Sequence, residues 1–475
     1  MKKSLWSLLV VGCLIIALLL CAAACSKEPQ DATSDPSATA TAPVNDSEPV
    51  TEPNTTGGQP SEPKQSDSKQ TLTIAQCYDY YSLDPAIERF KVHYPDVEIV
   101  LNKYDNDMER YMQEMEAQLA SGAACDIMDA TGITDGILSN MDPLADLYPM
   151  LRNDPGFNES EYYMNVLDGM AYNGKLAEFP TCFTYSLLGV HNSFSADLTE
   201  RYKQYDRIAY RELLDIYNSV PDKEGRYLSK NIDAITATNA NINFYIDLNN
   251  KTCDFNNPRY IAMITDAKEA TPPQKTENEE LNLLFGKYMS KANQEACAAE
   301  YLFDNALASD FLVYFPLNEE EVFTHYIPEA GENGALTIVP VRRFCIAESS
   351  QNKELAWEFI KFLTTPEANM NVVQPAFPIH RELFKDYVTE EVVLQLELWR
   401  SEGYDIEEDM EIVTEQVLSR LSYFNEMPME YQRYVLSIDD LFMETLVPFY
   451  QGRFTAEEAA AELQAKVSEF LQASH

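Results

Sequence analysis

The stretch Cys77-Tyr78-Asp79-Tyr80-Tyr81 follows the short apolar run TLTIAQ and packs three tyrosines and a carboxylate into five residues. Two roles are open to it. The rings can stack on a sugar while Asp79 accepts hydroxyl hydrogen bonds, or the tyrosines can pack under the helix that follows. The run CDIM ends in the same way, on Asp129, Ala130 and Thr131. Farther along, TATNANINFYID offers Asn239, Asn241 and Phe244. Asparagine both donates and accepts, which suits sugar hydroxyls and suits loops equally. Arg342 and Arg343 can hold a carboxylate or phosphate by bidentate pairing, or pair with surface acids.

Signals for catalysis are thin. The chain has no GxSxG and no HExxH, and its five histidines (His93, His191, His325, His380 and His475) are scattered. Paired carboxylates remain open in so acidic a chain, so an exported hydrolase stands as a rival reading. No CxxC pair occurs among the mature cysteines, which argues against a zinc ribbon; no metal and no cofactor is expected. Several cysteines sit inside apolar runs such as TCFTYSLLGV and FCIA, which predicts small buried thiols, mostly free, with one disulfide left open.

These residues need a frame. Asp84-Pro85 starts a helix whose Ile87, Phe90 and Tyr94 share a face and which Pro95 stops. Residues 97–101 read as a strand, and Met108, Tyr111, Met112, Met115 and Leu119 as a second helix ended by Gly122. CDIMDA is a third strand. Strand, helix, strand, helix, strand is the βαβ rhythm of a parallel sheet, whose ligands bind beyond the carboxyl ends of the strands. Near the other terminus, Asn352 is a cap for NKELAWEFIKFL, Trp357 is a packing residue, and Thr455 with Glu458 forms a capping box.

Met1-Lys2-Lys3, the apolar run from Leu5 to Ala24 and then Cys25 have the layout of a secretory signal with a lipid-carrying cysteine. An uncleaved signal anchor is the alternative, and both place the rest of the chain outside the cytoplasmic membrane. Residues 26–70 lack any aromatic and are rich in Ser, Thr, Pro and acids, so they read as a disordered tether. Such a chain spans roughly 35–40 Å on average. The net charge of −42, from 35 basic and 77 acidic residues, opposes nucleic acid and anionic lipid surfaces as partners. The remaining length is too great for one core and divides most simply into two domains.

FKVHYPDVEIV, AQLASGAACDIM, LADLYPML and VLDGMAYNGKLAEFP, in that order and spacing, resemble the extracellular solute-binding proteins of ABC importers. So do FYIDLNNKTCDFNNPRYIAMITDAK, RFCIAESSQNKELAWEFIKFLTTPE, AFPIHRELF and YQGRFTAEEAAAELQAKVSEFL. Cys125 stands where that family usually has proline. The resemblance implies an α/β fold of two lobes, each a mostly parallel sheet flanked by helices, with a ligand cleft at the hinge. It puts the signal at 1–24, the lipidated Cys25 and linker at 25–70, one lobe at 71–183 plus 337–385 and the other at 186–335 plus 386–475. The chain would cross between lobes near 183–190 and return near 337–346. Phe183, Tyr185 and Phe344 would then line the cleft or fill the hinge. Ser309 and Asp310 would lie on a ligand loop. With the strand-end candidates, the ligand set expected is Tyr78, Asp79, Tyr80, Asp129, Thr131, Phe183, Tyr185, Asn239, Asn241, Ser309, Asp310 and Phe344. The implied protein is a non-enzymatic monomer, lipid-anchored on the outer face of the cytoplasmic membrane. It passes a small solute to an ABC permease; a carbohydrate is favoured and a peptide or amine stays open. A sensor for a membrane receptor would have the same sequence features.

Overall fold

The computed structural model describes residues 70–473 except 79–81, 131–140, 192–195, 221–225, 230–237, 239–240, 249, 272–299, 309–322, 369–375, 403–408 and 433–435. Cys25, the expected lipidation site, and residues 26–69 of the expected tether lie outside the described residues, as do Asp79, Tyr80, Thr131, Asn239, Ser309 and Asp310.

The first elements follow the expected rhythm. They are β1 (Gln70–Gln76), α1 (Asp84–His93), β2 (Val97–Lys103), α2 (Met108–Ser121) and β3 (Ile127–Asp129). β1 lies between β2 and β3 and pairs with both in parallel. The cap of α1 differs from expectation. Leu83 holds that position without a side-chain bond, and Asp84 is in the first turn, where Lys103 Nζ reaches its carboxylate at 2.5 Å. α2 ends as predicted, with Gly122 in left-handed backbone at φ 70°. Cys125, at the position of the family's proline, is buried and accepts a bond from Asn102 Nδ2 at 3.3 Å.

Next come α3 (Leu147–Asn153), α4 (Met164–Met170) and the long β4 (Phe179–His191). After them are α5 (Ala196–Tyr202), β5 (Ile208–Ala209), α6 (Tyr210–Asn218) and β6 (Arg226–Ser229). Then follow α7 (Ile242–Tyr245), β7 (Ile246–Asp247), β8 (Thr252–Cys253), α8 (Pro258–Ala270), β9 (Glu300–Leu307), β10 (Phe323–Ala330) and β11 (Leu336–Ile346). The chain closes with α9 (Lys353–Phe362), β12 (Phe377–Pro378), α10 (Arg381–Glu402), α11 (Met410–Asn425), β13 (Met429–Tyr431), α12 (Leu436–Tyr450) and α13 (Ala456–Ala473). Among the described residues eleven strands join one mixed sheet, and β7 pairs with β8 apart from it. Its two ends are parallel, β2-β1-β3 on one side and β9-β6 on the other. Between them β4, β10 and β11 run antiparallel.

β4 changes partners along its length. Its residues up to Thr184 pair with β11, and from Ser186 onward it lies between β9 and β10 and pairs with both. The buried side chains change company two residues later. Phe183, Tyr185 and Leu187 belong to a core built with Leu72, Ile74, Phe90, Phe344 and Phe359. Leu188 and Val190 belong to a second core built with Leu213, Phe255, Met263, Phe442 and Leu463. The buried Val388, Val392, Leu396, Val413, Val417 and Phe424 of α10 and α11 face the first core. The second core's share of the C-terminal region therefore begins at Ile438, not at 386.

Local chemistry explains the ends of the late helices. Asn352 caps α9 by position only, because its amide donates to Thr71 C=O at 3.0 Å and so ties the helix to β1. Thr455 and Glu458 form the expected reciprocal box. Trp357 packs on Phe157 and Phe179 and donates to Asp154 at 2.9 Å. Cys77, Cys125, Cys182, Cys253 and Cys345 are free thiols.

Candidate functional site

The carboxyl ends of β1 and β3 place Gln76 and Asp129 side by side, since the two strands pair in register at Ile74–Ile127 and Ala75–Met128. β11 runs back against β3, with Phe344 opposite Asp129. Arg343 is the next residue beyond that pair. β4 meets β11 at Phe179–Phe344, which brings Glu178 to the same spot. Four chain segments far apart in sequence thus deliver Gln76, Asp129, Glu178 and Arg343 to one end of the sheet.

Arg343 Nη1 donates to Glu178 Oε2 at 2.7 Å and to the Tyr431 hydroxyl at 3.0 Å. Its guanidinium also lies 5.3 Å over the Tyr431 ring. Arg343 is 5% exposed and Glu178 3%, so the pair is dry. Burial disfavours the charged guanidinium, but the adjacent Glu178 carboxylate more than reverses this and holds Arg343 firmly protonated. Its Nε has no hydrogen-bond partner among the described residues. Arg342, just before it, is buried and takes a left-handed backbone at φ 50°. That conformation costs a non-glycine residue about 1–2 kcal/mol, so strain is held next to the cluster. Both arginines are interior, and Arg343 makes its ion pair there, not at the surface.

Beyond β1, Gln76 Nε2 donates to Tyr78 C=O. Tyr78 is half-buried, with its hydroxyl 3.9 Å from Met108 Sδ. Together with Cys77, Ser82, Lys103 and Asp105 these residues line a pocket of about 90 Å³. Small-molecule sites usually measure roughly 300–1,000 Å³, so this pocket alone is too small for one. Burial, with Asp129 and Asp107 adding to it, pushes the Cys77 thiol up to about 12, which leaves no thiolate for nucleophilic work. The Asp129 backbone carbonyl accepts from the buried Tyr111 hydroxyl at 2.7 Å.

From the other side α7 reaches β13. Asn243 Nδ2 donates to Glu430 Oε1 at 3.2 Å and to Tyr431 C=O at 3.1 Å, and its backbone N–H donates to Gln432 at 3.0 Å. Asn243 therefore fixes the strand that carries the tyrosine against Arg343. Next to it Phe244 is 48% exposed, with the Arg259 guanidinium 5.1 Å over its ring. Arg259 is also ion-paired with the buried Glu332.

Several predicted ligand residues have other work. Phe183, Tyr185 and Phe344 are fully buried in the first core, where Phe183 stacks edge-on with Tyr163 and Phe377. The Tyr185 hydroxyl donates to Asn425 at 2.9 Å. All three fill the first core. Asn241 is buried, and its side-chain oxygen accepts from Glu332 N–H at 2.9 Å, so it braces a loop. Among the described residues, Tyr78 and Asp129 of the predicted set stand at the strand-end cluster, and Phe344 touches it through its backbone pairing with Asp129. Glu178, Arg343 as a buried pair, Tyr431 and Asn243 escaped the ligand set. Their partners are distant in sequence, and no local pattern marks them. A groove of about 910 Å³ between α10 and α11, lined by Phe384, Lys385, Met410, Glu411 and Leu418, shares no residue with the cluster.

Histidines and metal-type clusters do not gather at the cluster. His93 pairs with Glu367 at 2.7 Å, and His380 lies 3.8 Å from Glu161. Among the described residues no group of three His, Cys, Asp or Glu could hold a metal ion, and no helix is long and apolar enough to cross a membrane.

No family model matches the chain, and no curated protein matches its sequence. Solved structures do share its fold. The sugar-binding protein MalE from the phytopathogen Xanthomonas citri is 15% identical, with 85% of this chain and 98% of that one covered at a TM-score of 0.55. An extracellular solute-binding protein of family 1 from Alicyclobacillus acidocaldarius is also 15% identical, with 85% and 100% covered at 0.54. A de novo designed cysteine esterase is 16% identical, with 85% and 98% covered at 0.54. Identities this low carry the fold and not the activity. The fold is mixed α/β and of the solute-binding-protein kind.

Proposed function

We propose that the protein is an extracellular solute-binding lipoprotein that captures a small solute, favoured as a carbohydrate, and hands it to an ABC permease by hinge closure. The observation that carries this is the fold shared with a sugar-binding protein over 85% of the chain. The strand-end cluster supports it, because ligands of open α/β sheets bind beyond the carboxyl ends of strands. The cluster mixes carboxylate, guanidinium, phenol and amide groups, which suits a neutral polyol that both donates and accepts. In this reading β4 and β11 form the hinge, and the lobes correspond to the two cores that β4 joins. Cys25 carries the lipid and residues 26–70 tether the body.

The test is a thermal-shift screen of the chain from Ser26 against mono- and oligosaccharides, amino acids, peptides and polyamines. A ligand at 100 times its dissociation constant adds about 2.7 kcal/mol. A shift with one sugar family is expected. A shift only with amines or peptides discards the carbohydrate, and no shift with any class overturns solute capture.

A further inference from the structure

β10 carries another buried carboxylate, Glu329, away from the strand-end cluster. It sits at the seam of the two cores. Its neighbours Tyr326 and Ala330 pack into the first core, whereas Ile327 packs into the second. On the facing strand Leu187 and Leu188 divide in the same way. Antiparallel pairing sets Pro328 opposite Leu187 and Ile327 opposite Leu188, which leaves Glu329 beside Ser186. Glu329 is 5% exposed, Oε1 has no hydrogen-bond partner among the described residues, and the Ser186 hydroxyl is the partner it has.

Among the described residues no cation pairs with it. On its other flank Glu329 pairs with Ile208 of β5, followed by Ala209, and neither carries charge. Tyr202 of α5 lies near, with its hydroxyl committed to Leu188 C=O and kept protonated by burial. Arg420 of α11 is committed to Tyr326 C=O. His325, earlier on β10, is pushed down to about 4 by burial and then by Arg420 and Lys203, so it is neutral where a carboxyl in this setting changes charge. Among the described residues no cationic nitrogen lies within 4.0 Å of the Glu329 carboxylate.

We infer that Glu329 makes the seam between the two cores proton-linked: protonated, its carboxyl is tolerated dry, and ionised, it draws in water and loosens β10 against β4. A lone buried charge is costly, and the group either neutralises or finds solvent. Burial pushes this carboxyl up to about 7, with the Ser186 bond pulling the other way. The inference goes beyond solute capture. It rests on the seam, and its test contains no ligand, so it can fail while the binding reading stands, and the reverse.

Amide hydrogen exchange of the whole chain decides it. Protection of peptides covering 179–191 and 323–330, corrected for intrinsic exchange, is expected to fall about tenfold or more between pH 5.5 and pH 8. Glu329→Gln, nearly isosteric and never charged, should hold its protection across that range. Ser186→Ala removes the bond that favours the ionised form, so the midpoint should move to higher pH. A wild-type profile flat with pH, the same fall in Glu329→Gln, or an unmoved midpoint in Ser186→Ala would overturn the inference.

Discussion

Glu178 and Glu329 are the same residue type at nearly the same burial, 3% and 5% exposed. One has Arg343 at 2.7 Å, and the other has a serine hydroxyl and no cation. The difference shows that burial alone does not decide what a carboxylate does. At the strand ends the carboxylate meets a guanidinium, with Tyr431 and Asn243 fixing the geometry around the pair. At the seam the charge is conditional on pH. A site that must present fixed polar groups to a ligand needs the first arrangement, and a joint that must yield can use the second.

The largest effect should come from turning one carboxylate into the other. Arg343→Met removes the counter-charge from the buried Glu178, which should cost about 3–5 kcal/mol. Urea unfolding at pH 8 measures it. Adding Glu178→Leu should restore most of that loss, because the uncompensated charge leaves with its partner. A single-variant loss under about 1 kcal/mol would mean that water reaches the pair, and the contrast between the two sites would collapse.

Glu329→Gln should act in the opposite direction. The folded-state pKa of Glu329 is raised to about 7 from 4.5. Between those values the native state binds more protons than the unfolded chain, so stability falls as pH rises through the window and the loss is complete above it. Gln has no such loss. The variant should match wild type near pH 4.5 and exceed it at pH 8 by on the order of 2–3 kcal/mol. Equal melting curves at both pH values would show that Glu329 is solvated in the native state.

How much of this was readable beforehand follows from range. Phe90, Met115 and Gly122 act through helix periodicity and capping, which extend a few residues, and the first βαβ units stand where the pattern put them. Thr455 and Glu458 are three residues apart and were equally legible. Arg343 and Glu178 are 165 residues apart and meet only through the β4–β11 pairing. Phe183, Tyr185 and Phe344 look the same in sequence whether they line a cleft or fill a core. Only the turn of β4 between two cores decides it. Asn241 misled for a related reason, since an amide that suits sugars suits a backbone N–H as well.

The smallest effect tests whether the strand-end groups act as a unit. Asn243 is exposed, and its amide bonds to Glu430 and to Tyr431 C=O should contribute about 0.5–1.5 kcal/mol in total. Asn243→Ala should lose that much in urea. Its main consequence is indirect: β13 is freed to carry Tyr431 away from Arg343. If the two residues share one network, Asn243→Ala in the Arg343→Met background should cost measurably less than in wild type, with a coupling of about 0.5 kcal/mol or more. Strict additivity would reduce Tyr431 to a bystander and leave the ion pair as the whole of the cluster, with Asn243 serving only to pin α7 to the sheet.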